Sequence, residues 1–185
     1  MEKLYVSADD FLADSYRLAH KVYESGFRPD YVVGVWRGGT PVGIAVQEYL
    51  DYRGIETDHC AMRAISYYGI NQRKDQVQVH GLEYLTARLK QQDKVLIVDD
   101  VFETGHTLVT IMNVLNQILG GDAPQDVIVA TVYFKPEQNQ TDKVPDFYQT
   151  VTEDWIVFPH ELDGLTQEEV FANKPAVLRE LLAGA

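Results

Sequence analysis

Residues 95–108, VLIVDDVFETGHTL, place two adjacent aspartates directly after four apolar residues and follow them with a glycine-bearing turn. The apolar run predicts a buried strand, and the apolar spacing after the turn predicts a helix over about 105–119. Glycine lets the backbone approach a ligand closely, and the free N–H groups and dipole of a helix N-terminus favour an anion. The stretch therefore predicts a strand, an anion-binding turn and a helix, with carboxylates beside the turn.

Strand-like and helix-like patterns alternate outward from this stretch. Strands are predicted at 30–36, 58–68, 94–99 and 125–135, with a further strand-like segment at 147–159. Helices are predicted at 8–24, 40–53, 82–89, about 105–119 and after Pro175, and a polar loop is predicted at 69–80. The alternation predicts an α/β fold with a mainly parallel twisted sheet that carries helices on both faces.

Composition narrows the class of protein. The chain has 185 residues, of which 45% are hydrophobic and 24% charged, which predicts one ordinary globular domain. The formal net charge of −12 argues against a nucleic-acid-binding surface, which would need a basic stripe. The single cysteine, Cys60, excludes an intrachain disulfide and fits a reducing compartment. We find no secretory signal and no membrane-spanning stretch, and we expect a cytoplasmic protein.

Parallel sheets of this kind bind ligands beyond the carboxyl ends of their strands. The chain contains neither the glycine-lysine loop of nucleoside triphosphatases nor the glycine fingerprint of dinucleotide-binding folds. From the residues alone, an anion would lie in the 103–107 turn, and sugar hydroxyls or a hydrated Mg²⁺ would face Asp99 and Asp100.

Residues 95–108 resemble the phosphoribosyl-pyrophosphate-binding motif of type I phosphoribosyltransferases, in which an apolar strand and two acids precede a Thr-Gly-x-Thr turn. The resemblance extends over about residues 28–162, because other family landmarks follow in the expected order. It implies one domain with a core at about 28–135 and a small hood built from about 1–27 and 136–185.

In this resemblance the 103–107 turn holds the 5′-phosphate and the two aspartates face the ribose hydroxyls. The glycine-rich segment at Arg37 and Gly38 grips pyrophosphate, and a cis peptide joins Trp36 to Arg37. Ser66 and Tyr68 begin a lid that closes over the substrates. The residues assigned to the phosphoribosyl side of the site are thus Arg37, Gly38, Ser66, Tyr68, Asp99, Asp100, Thr104, Gly105, His106 and Thr107.

The chain is most similar to the 6-oxopurine branch of the family, which includes hypoxanthine–guanine and xanthine–guanine enzymes. That similarity implies that Lys135 donates to the purine O6, that Trp155 stacks on the ring and that the Ile156 backbone lies along the purine's 2-position edge. It implies Mg²⁺ as the cofactor, with Asp100 and Glu161 as metal ligands.

Glu103 stands where 6-oxopurine enzymes usually have an aspartate, and His106 stands where a lysine is common. The resemblance assigns Glu103 as the general base for the purine proton. The residues with implied catalytic roles are Glu103, Asp99, Asp100 and Arg37.

The implied reaction moves the 5-phosphoribosyl group from phosphoribosyl pyrophosphate to N9 of hypoxanthine, guanine or xanthine, giving a nucleoside monophosphate and pyrophosphate in purine salvage. Phosphoribosyl pyrophosphate and a purine base are the expected partners, with no nucleic acid and no membrane, and a homodimer or homotetramer is the common assembly of the family. Two alternatives remain: transfer to adenine or another nucleobase, and a non-catalytic regulator that senses phosphoribosyl pyrophosphate.

Overall fold

A computed structural model of the chain describes residues 3–66 and 77–182. The chain divides into two compact units, each described by itself below: the main unit, residues 14–153, and the terminal unit, formed by the segments up to residue 13 and from residue 154 onward. Among the described residues, no helix combines the length and the apolar character needed to span a membrane.

Strands and helices alternate along most of the described chain. The strands are β1 (Lys3–Tyr5), β2 (Tyr31–Val35), β3 (Asp58–Ser66), β4 (Val77–His80), β5 (Lys94–Phe102), β6 (Asp126–Phe134), β7 (Phe147–Val151) and β8 (Trp155–Val157). The α-helices are α1 (Ala8–Glu24), α2 (Gly39–Tyr52), α3 (Leu82–Thr86), α4 (His106–Leu119), α5 (Gln167–Asn173) and α6 (Val177–Leu182).

The main unit contains a six-stranded sheet in the order β4-β3-β2-β5-β6-β7. Strands β2, β3, β5, β6 and β7 run parallel, and only β4 of this sheet is antiparallel to its neighbour. The predicted α/β fold with a mainly parallel sheet is therefore confirmed. Strands β2 and β5 lie side by side at the centre, so the loops that follow them open at the same edge.

Helices cover both faces of this sheet. Ile97 of β5 belongs to a buried cluster that includes Ile111 of α4. On the opposite face, Gly43 of α2 packs so closely that an added Cβ would lie 3.2 Å from the Val98 side chain. Because both faces are covered, β5 can be apolar at consecutive positions, which explains the unbroken run at residues 95–98.

Strand β5 is longer than predicted. It continues past residue 99 to Phe102 because its ladder with β6 continues, pairing Val101 with Tyr133 and Phe102 with Phe134. The predicted end of this strand at residue 99 is therefore wrong. Both aspartates belong to the strand, and the sheet fixes their backbone.

Two further predictions of secondary structure need correction. Residues 77–80 of the predicted polar loop form β4, an edge strand paired with β3. The predicted 147–159 strand is two strands, with β7 in the six-stranded sheet and β8 paired with β1. Three consecutive polar residues, Thr152, Glu153 and Asp154, lie between β7 and β8 and were the available signal for the break.

The terminal unit contains the parallel pair β1–β8, in which Lys3 lies opposite Trp155. It also contains α5, which the sequence analysis missed. Thr166 and Glu169 form a reciprocal capping box at the start of α5, and this Thr-x-x-Glu spacing was the available signal. The predicted hood includes more of the chain than the terminal unit does, and its role as a hood stays a prediction.

Candidate active site

The loop after β2 packs directly against the two aspartates of β5. A Cβ added at Gly38 would overlap the Asp100 carboxylate, and one added at Gly39 would lie 2.5 Å from the Val98 carbonyl oxygen. Only glycine leaves room for this approach. The peptide bond between Trp36 and Arg37 is cis, as predicted. The pyrophosphate-type loop and the acid pair, separated by about sixty residues in the sequence, therefore form one surface.

Asp99 and Asp100 each accept a hydrogen bond from the backbone N–H of the residue that follows. The Asp100 N–H donates to Asp99 Oδ1 at 2.9 Å, and the Val101 N–H donates to Asp100 Oδ1 at 2.8 Å. Burial raises the pKa of Asp99 well above its usual range, and the neighbouring Asp100 carboxylate raises that pKa further. Backbone N–H donors from Asp100 and Gly39 act in the opposite direction. Asp99 is therefore a carboxyl group whose charge is unfavourable in the ligand-free protein.

A cavity of about 290 Å³ opens beside this surface. Its lining includes the loop after β2, the acid pair and most of the turn after β5. The sequence-predicted residues that line it are Arg37, Gly38, Asp99, Asp100, Glu103, Thr104, Gly105 and Thr107. The structure thus brings these eight predicted residues together at one edge of the sheet, where ligands of parallel sheets are expected.

The turn that follows β5 ends in a left-handed glycine. Gly105 has φ of 80° and directly precedes α4, which begins at His106. The Thr104 hydroxyl accepts from the His106 N–H at 3.4 Å, and the N-terminal N–H groups of α4 supply the donors expected of an anion site. The turn therefore has the geometry expected for binding a phosphate.

A second loop, residues 139–141, contacts this turn and supports it. This loop was not predicted from the sequence. The Gln140 N–H donates to the Thr104 carbonyl oxygen at 3.0 Å. An added Cβ at Gly105 would overlap the Thr141 hydroxyl and lie 3.0 Å from Asn139 Oδ1. Gly105 is thus required by its positive φ and by this supporting loop, in addition to the predicted approach of a ligand.

The His106 side chain contacts the same loop, residues 139–141. Its Nε2 lies 3.1 Å from Gln140 Oε1, and it is not among the residues that line the cavity. The structure therefore places the imidazole against Gln140, and substrate binding by His106 stays a prediction that rests on the start of α4.

Glu103 and Lys135 form an ion pair at 3.2 Å. Lys135 is buried, whereas the Glu103 side chain is 43% exposed. The Lys135 N–H also donates to the Phe102 carbonyl oxygen at 2.9 Å, which fixes the residue at the end of β6. The pair combines a buried cationic donor with an accessible carboxylate, as needed for recognising a carbonyl oxygen and accepting a nearby proton.

Thr131 is a cavity residue that the sequence analysis missed. It lines the cavity, is 1% exposed, and lies opposite Asp99 in the β5–β6 register. Its hydroxyl has no hydrogen-bond partner among the described residues. A polar residue inside an otherwise apolar strand was the available signal, although its alignment with Asp99 depends on the register.

The remaining predicted site residues are not among those that line the cavity. Tyr68 falls outside the described residues, as do most of the predicted lid and the side chain of Ser66. In the terminal unit, Trp155 is 55% exposed, Ile156 is buried, and Glu161 Oε2 accepts from the Phe158 N–H at 3.1 Å. The roles of these residues in base and metal binding stay predictions.

Asp100 has the chemistry that the predicted magnesium ion needs, and magnesium binding stays a prediction. Mg²⁺ is commonly held by one or two carboxylates together with substrate phosphates. Asp100 meets that description beside the cavity, and its carboxylate packs on Gly38 of the predicted pyrophosphate loop. No group of three or more potential metal ligands occurs within residues 3–66 and 77–182, so the described chain offers no dedicated protein cage.

The phosphoribosyl transferase domain family matches residues 5–164. The match covers most of the chain, so the protein belongs to this family of transferases, and the family predicted from residues 95–108 is confirmed. No curated protein matches the chain significantly.

Solved structures extend the comparison. A purine phosphoribosyltransferase from Pyrococcus horikoshii OT3 has 28% sequence identity and a TM-score of 0.68, covering 90% of this chain and 99% of that chain. The xanthine-guanine-hypoxanthine phosphoribosyltransferase of Helicobacter pylori has 21% identity and a TM-score of 0.67, covering 98% of this chain and 99% of that one. A hypoxanthine phosphoribosyltransferase from Staphylococcus aureus has 20% identity and a TM-score of 0.61, covering 91% and 85%. The last two similarities support the fold.

Proposed function

We propose that this protein transfers the 5-phosphoribosyl group from phosphoribosyl pyrophosphate to N9 of a 6-oxopurine, releasing pyrophosphate. The observation that carries the proposal is the cavity in which the Arg37–Gly38 loop, the Asp99–Asp100 pair and the turn at 103–107 meet. These parts match the three anionic or hydroxyl-bearing parts of the donor substrate: pyrophosphate, ribose and 5′-phosphate.

On the donor side, each part of the cavity has a distinct task. The N–H groups at the start of α4 and the Thr104 and Thr107 hydroxyls would hold the 5′-phosphate. The acid pair would accept hydrogen bonds from the ribose hydroxyls, which ties the ionisation of Asp99 to substrate binding. The exposed Arg37 guanidinium would make charge-assisted bonds to the leaving pyrophosphate. Together these contacts would fix C1′ for displacement.

Magnesium fits the same edge of the sheet. We propose that Asp100, with oxygens of phosphoribosyl pyrophosphate, holds one Mg²⁺. When bound, this ion would supply positive charge that neutralises the departing pyrophosphate.

On the acceptor side, the Lys135–Glu103 pair supports a 6-oxopurine. A lysine ammonium donates to a carbonyl oxygen at position 6, whereas the 6-amino group of adenine would present another donor to it. Glu103, which is exposed beside Lys135, would accept the proton that leaves the purine ring. Stacking by Trp155 and edge contact by Ile156 are assigned by the family resemblance. The 28% identity to a purine phosphoribosyltransferase supports a purine as the acceptor.

A direct assay tests this function. The purified protein is incubated with phosphoribosyl pyrophosphate and Mg²⁺, and with hypoxanthine, guanine, xanthine, adenine, uracil or orotate singly, and the nucleotides are identified by mass spectrometry. We expect a nucleoside monophosphate from at least one 6-oxopurine. Product from adenine alone would contradict the role of Lys135. Binding of phosphoribosyl pyrophosphate without any product would favour the regulator, and purine salvage would then be excluded.

Glu103→Gln tests the proton acceptor. The amide keeps the size of the side chain and an acceptor oxygen but is a very weak base, so we expect kcat to fall by about 100-fold or more. The KM for phosphoribosyl pyrophosphate should change by less than about threefold, since the turn backbone is retained. Glu103→Asp is the matched control, because it keeps the carboxylate and should retain more activity. Equal kcat values for wild type and Glu103→Gln would remove Glu103 from proton transfer.

A further inference from the structure

The segment that follows β8 in the terminal unit is held by two oppositely charged side chains that meet at the backbone of Phe158. The Phe158 N–H donates to Glu161 Oε2 at 3.1 Å. The Phe158 carbonyl oxygen accepts from Lys174 Nζ at 2.5 Å and from the Glu161 N–H at 3.0 Å. Both polar backbone groups of one residue are thereby satisfied by a carboxylate and an ammonium group.

Lys174 is an unusual residue for this position. It is 9% exposed, and lysine is rarely buried unless it is paired. Burial lowers the pKa of Lys174, while the charge of Glu161 raises it in part. The N–H of Lys174 donates to the Val170 carbonyl oxygen at 2.9 Å, which anchors the lysine to the end of α5. Burying a cation costs free energy unless hydrogen bonds or opposite charges compensate, so a lysine in this place needs a structural or functional role.

Aromatic packing fixes the same segment from its other side. The Phe158 ring stacks on His160 with a centroid separation of 5.8 Å and an interplanar angle of 8°. It also contacts the Phe11 ring at 5.3 Å. The charged groups therefore act on a residue whose side chain is already immobilised, so their effect is to set the path of the backbone between β8 and residue 161.

This arrangement does not fit a metal ligand at Glu161. One carboxylate oxygen is used by the Phe158 N–H, and Glu161 interacts electrostatically with the buried ammonium group of Lys174, which would repel Mg²⁺. Glu161 therefore departs from the metal-binding role that the family resemblance assigns to it.

We propose that Lys174 and Glu161 form a charged brace that positions the β8 segment, residues 155–157, for nucleobase binding, and that Glu161 is a positioning residue instead of a metal ligand. The proposal rests on the proposed function for its link to the nucleobase, because Trp155 and Ile156 lie on β8. The brace itself rests on the contacts at Phe158. It explains why a lysine outside the family motif is buried directly after the last residue of α5.

Two variants test the brace. Lys174→Met keeps the length of the side chain but removes its charge and its donors, leaving the Phe158 carbonyl oxygen with the Glu161 N–H as its remaining donor and removing the cation that acts on Glu161. Glu161→Gln removes the charge and keeps an acceptor for the Phe158 N–H, so it should fold even if Lys174→Met does not. The matched controls are the exposed residues in Lys143→Met and Glu168→Gln.

Three readouts are compared: the steady-state constants, the Mg²⁺ concentration that gives half the maximal rate, and amide exchange of peptides covering residues 155–161 by mass spectrometry. We expect Lys174→Met to raise the purine KM by about tenfold and to speed exchange in these peptides. The KM for phosphoribosyl pyrophosphate should stay within about twofold of wild type. Glu161→Gln should act in the same direction, with its Mg²⁺ requirement unchanged.

A higher Mg²⁺ requirement in Glu161→Gln, with unaltered exchange at 155–161, would overturn the brace and restore the metal ligand. Unchanged purine KM and unchanged exchange in Lys174→Met would also overturn it. If the wild-type protein makes no nucleotide from any purine, the proposed function fails separately, and the exchange data still decide whether the brace exists.

Discussion

Asp99 shows how a single residue can couple stability to ligand binding. Its side chain is half-buried, its pKa is raised first by loss of solvation and then by Asp100, and its strand neighbour Thr131 leaves a hydroxyl without a partner among the described residues. A carboxyl group whose pKa is raised on folding destabilises the folded protein as the pH rises from its unfolded pKa, about 3.9, through the raised value. The ligand-free site is therefore electrostatically unfavourable at neutral pH.

Asp99→Asn should remove the electrostatic destabilisation that the charged Asp99 carboxylate causes at neutral pH. We expect the ligand-free variant to gain about 1 kcal/mol at pH 7, which raises Tm by roughly 2–4 °C in a domain of this size, while transfer activity falls. The gain should shrink as the pH is lowered towards 4, because wild-type Asp99 is then protonated. Calorimetry over this pH range checks the prediction, with exposed Asp126→Asn as the control. A lower Tm in Asp99→Asn at pH 7 would contradict it.

Gly38→Ala tests the contact between the two loops of the site. The added Cβ would overlap the Asp100 carboxylate, so either the loop or the acid must move. A displacement of this size can lower kcat/KM by about 100-fold, and we expect such a loss in the transfer reaction. Gly121→Ala is the control, because its Cβ would meet nothing within 4 Å. Equal activity of the two variants would show that the Gly38 contact is not needed.

At the scale of elements, α4 is supported by a loop that is distant in sequence. Its start is set by Gly105, by the carbonyl oxygen of Thr104 and by the His106 ring, and all three contact residues 139–141. A helix N-terminus binds an anion well only when its N–H groups are held in place, and this loop supplies that support.

The terminal unit shows a second anchored helix. Glu169 of α5 accepts from Lys3 Nζ at 2.5 Å, from the Tyr5 hydroxyl at 3.0 Å and from the Thr166 N–H at 2.9 Å. These donors, the Lys3 ammonium first, lower the pKa of Glu169 to about 2. The carboxylate thus joins the start of α5 to β1.

Glu169→Gln tests whether the Glu169 carboxylate stabilises the folded protein and whether that stabilisation is lost at low pH. Because the pKa of Glu169 is lowered on folding, its stabilising effect is complete above about pH 4.3 and is lost as the pH falls towards 2. The variant should therefore have a lower urea midpoint than wild type at pH 7, and the difference should narrow between pH 4 and pH 3. Glu168→Gln, an exposed neighbour on the same helix, serves as the control. A difference that is constant with pH would rule out the carboxylate as the source.

At the scale of the whole molecule, the net charge of −12 opposes an anionic substrate. Long-range repulsion slows the approach of phosphoribosyl pyrophosphate, and salt screens that repulsion. With Mg²⁺ fixed, we expect kcat/KM for phosphoribosyl pyrophosphate to rise roughly two- to threefold between low salt and physiological ionic strength. The kcat/KM for hypoxanthine, which is uncharged, should change little and is the internal control. A steady fall for phosphoribosyl pyrophosphate would indicate that local cations dominate.

Much of this molecule follows from short-range patterns. The apolar run at 95–98 predicts the central strand because both faces of a parallel sheet are buried, and Gly105 predicts the start of α4. The family resemblance supplies the cis peptide at Trp36–Arg37 and the grouping of the acids with the loop after β2. These features depend on neighbours in the sequence or on a motif, so they can be inferred before the structure is known.

Other features depend on contacts between distant segments. The extension of β5 to Phe102 needs the ladder with β6, and Thr131 becomes a cavity residue only through its register with Asp99. The family resemblance assigns Glu161 to a metal site, whereas the hydrogen bond that its carboxylate accepts from the Phe158 N–H is visible only in the folded chain. Cytoplasmic location and homo-oligomeric assembly stay predictions.

The loop behind the phosphate turn has a consequence for mutational scanning. In a library that substitutes every position, the activity-sensitive sites should outnumber the residues able to touch substrate. The excess should concentrate at Asn139, Gln140 and Thr141, which contact the turn but do not line the cavity. Changing the specificity for the donor substrate would therefore require paired substitutions in the turn at 103–107 and in the loop at 139–141, which are more than thirty residues apart, because the two segments pack against each other.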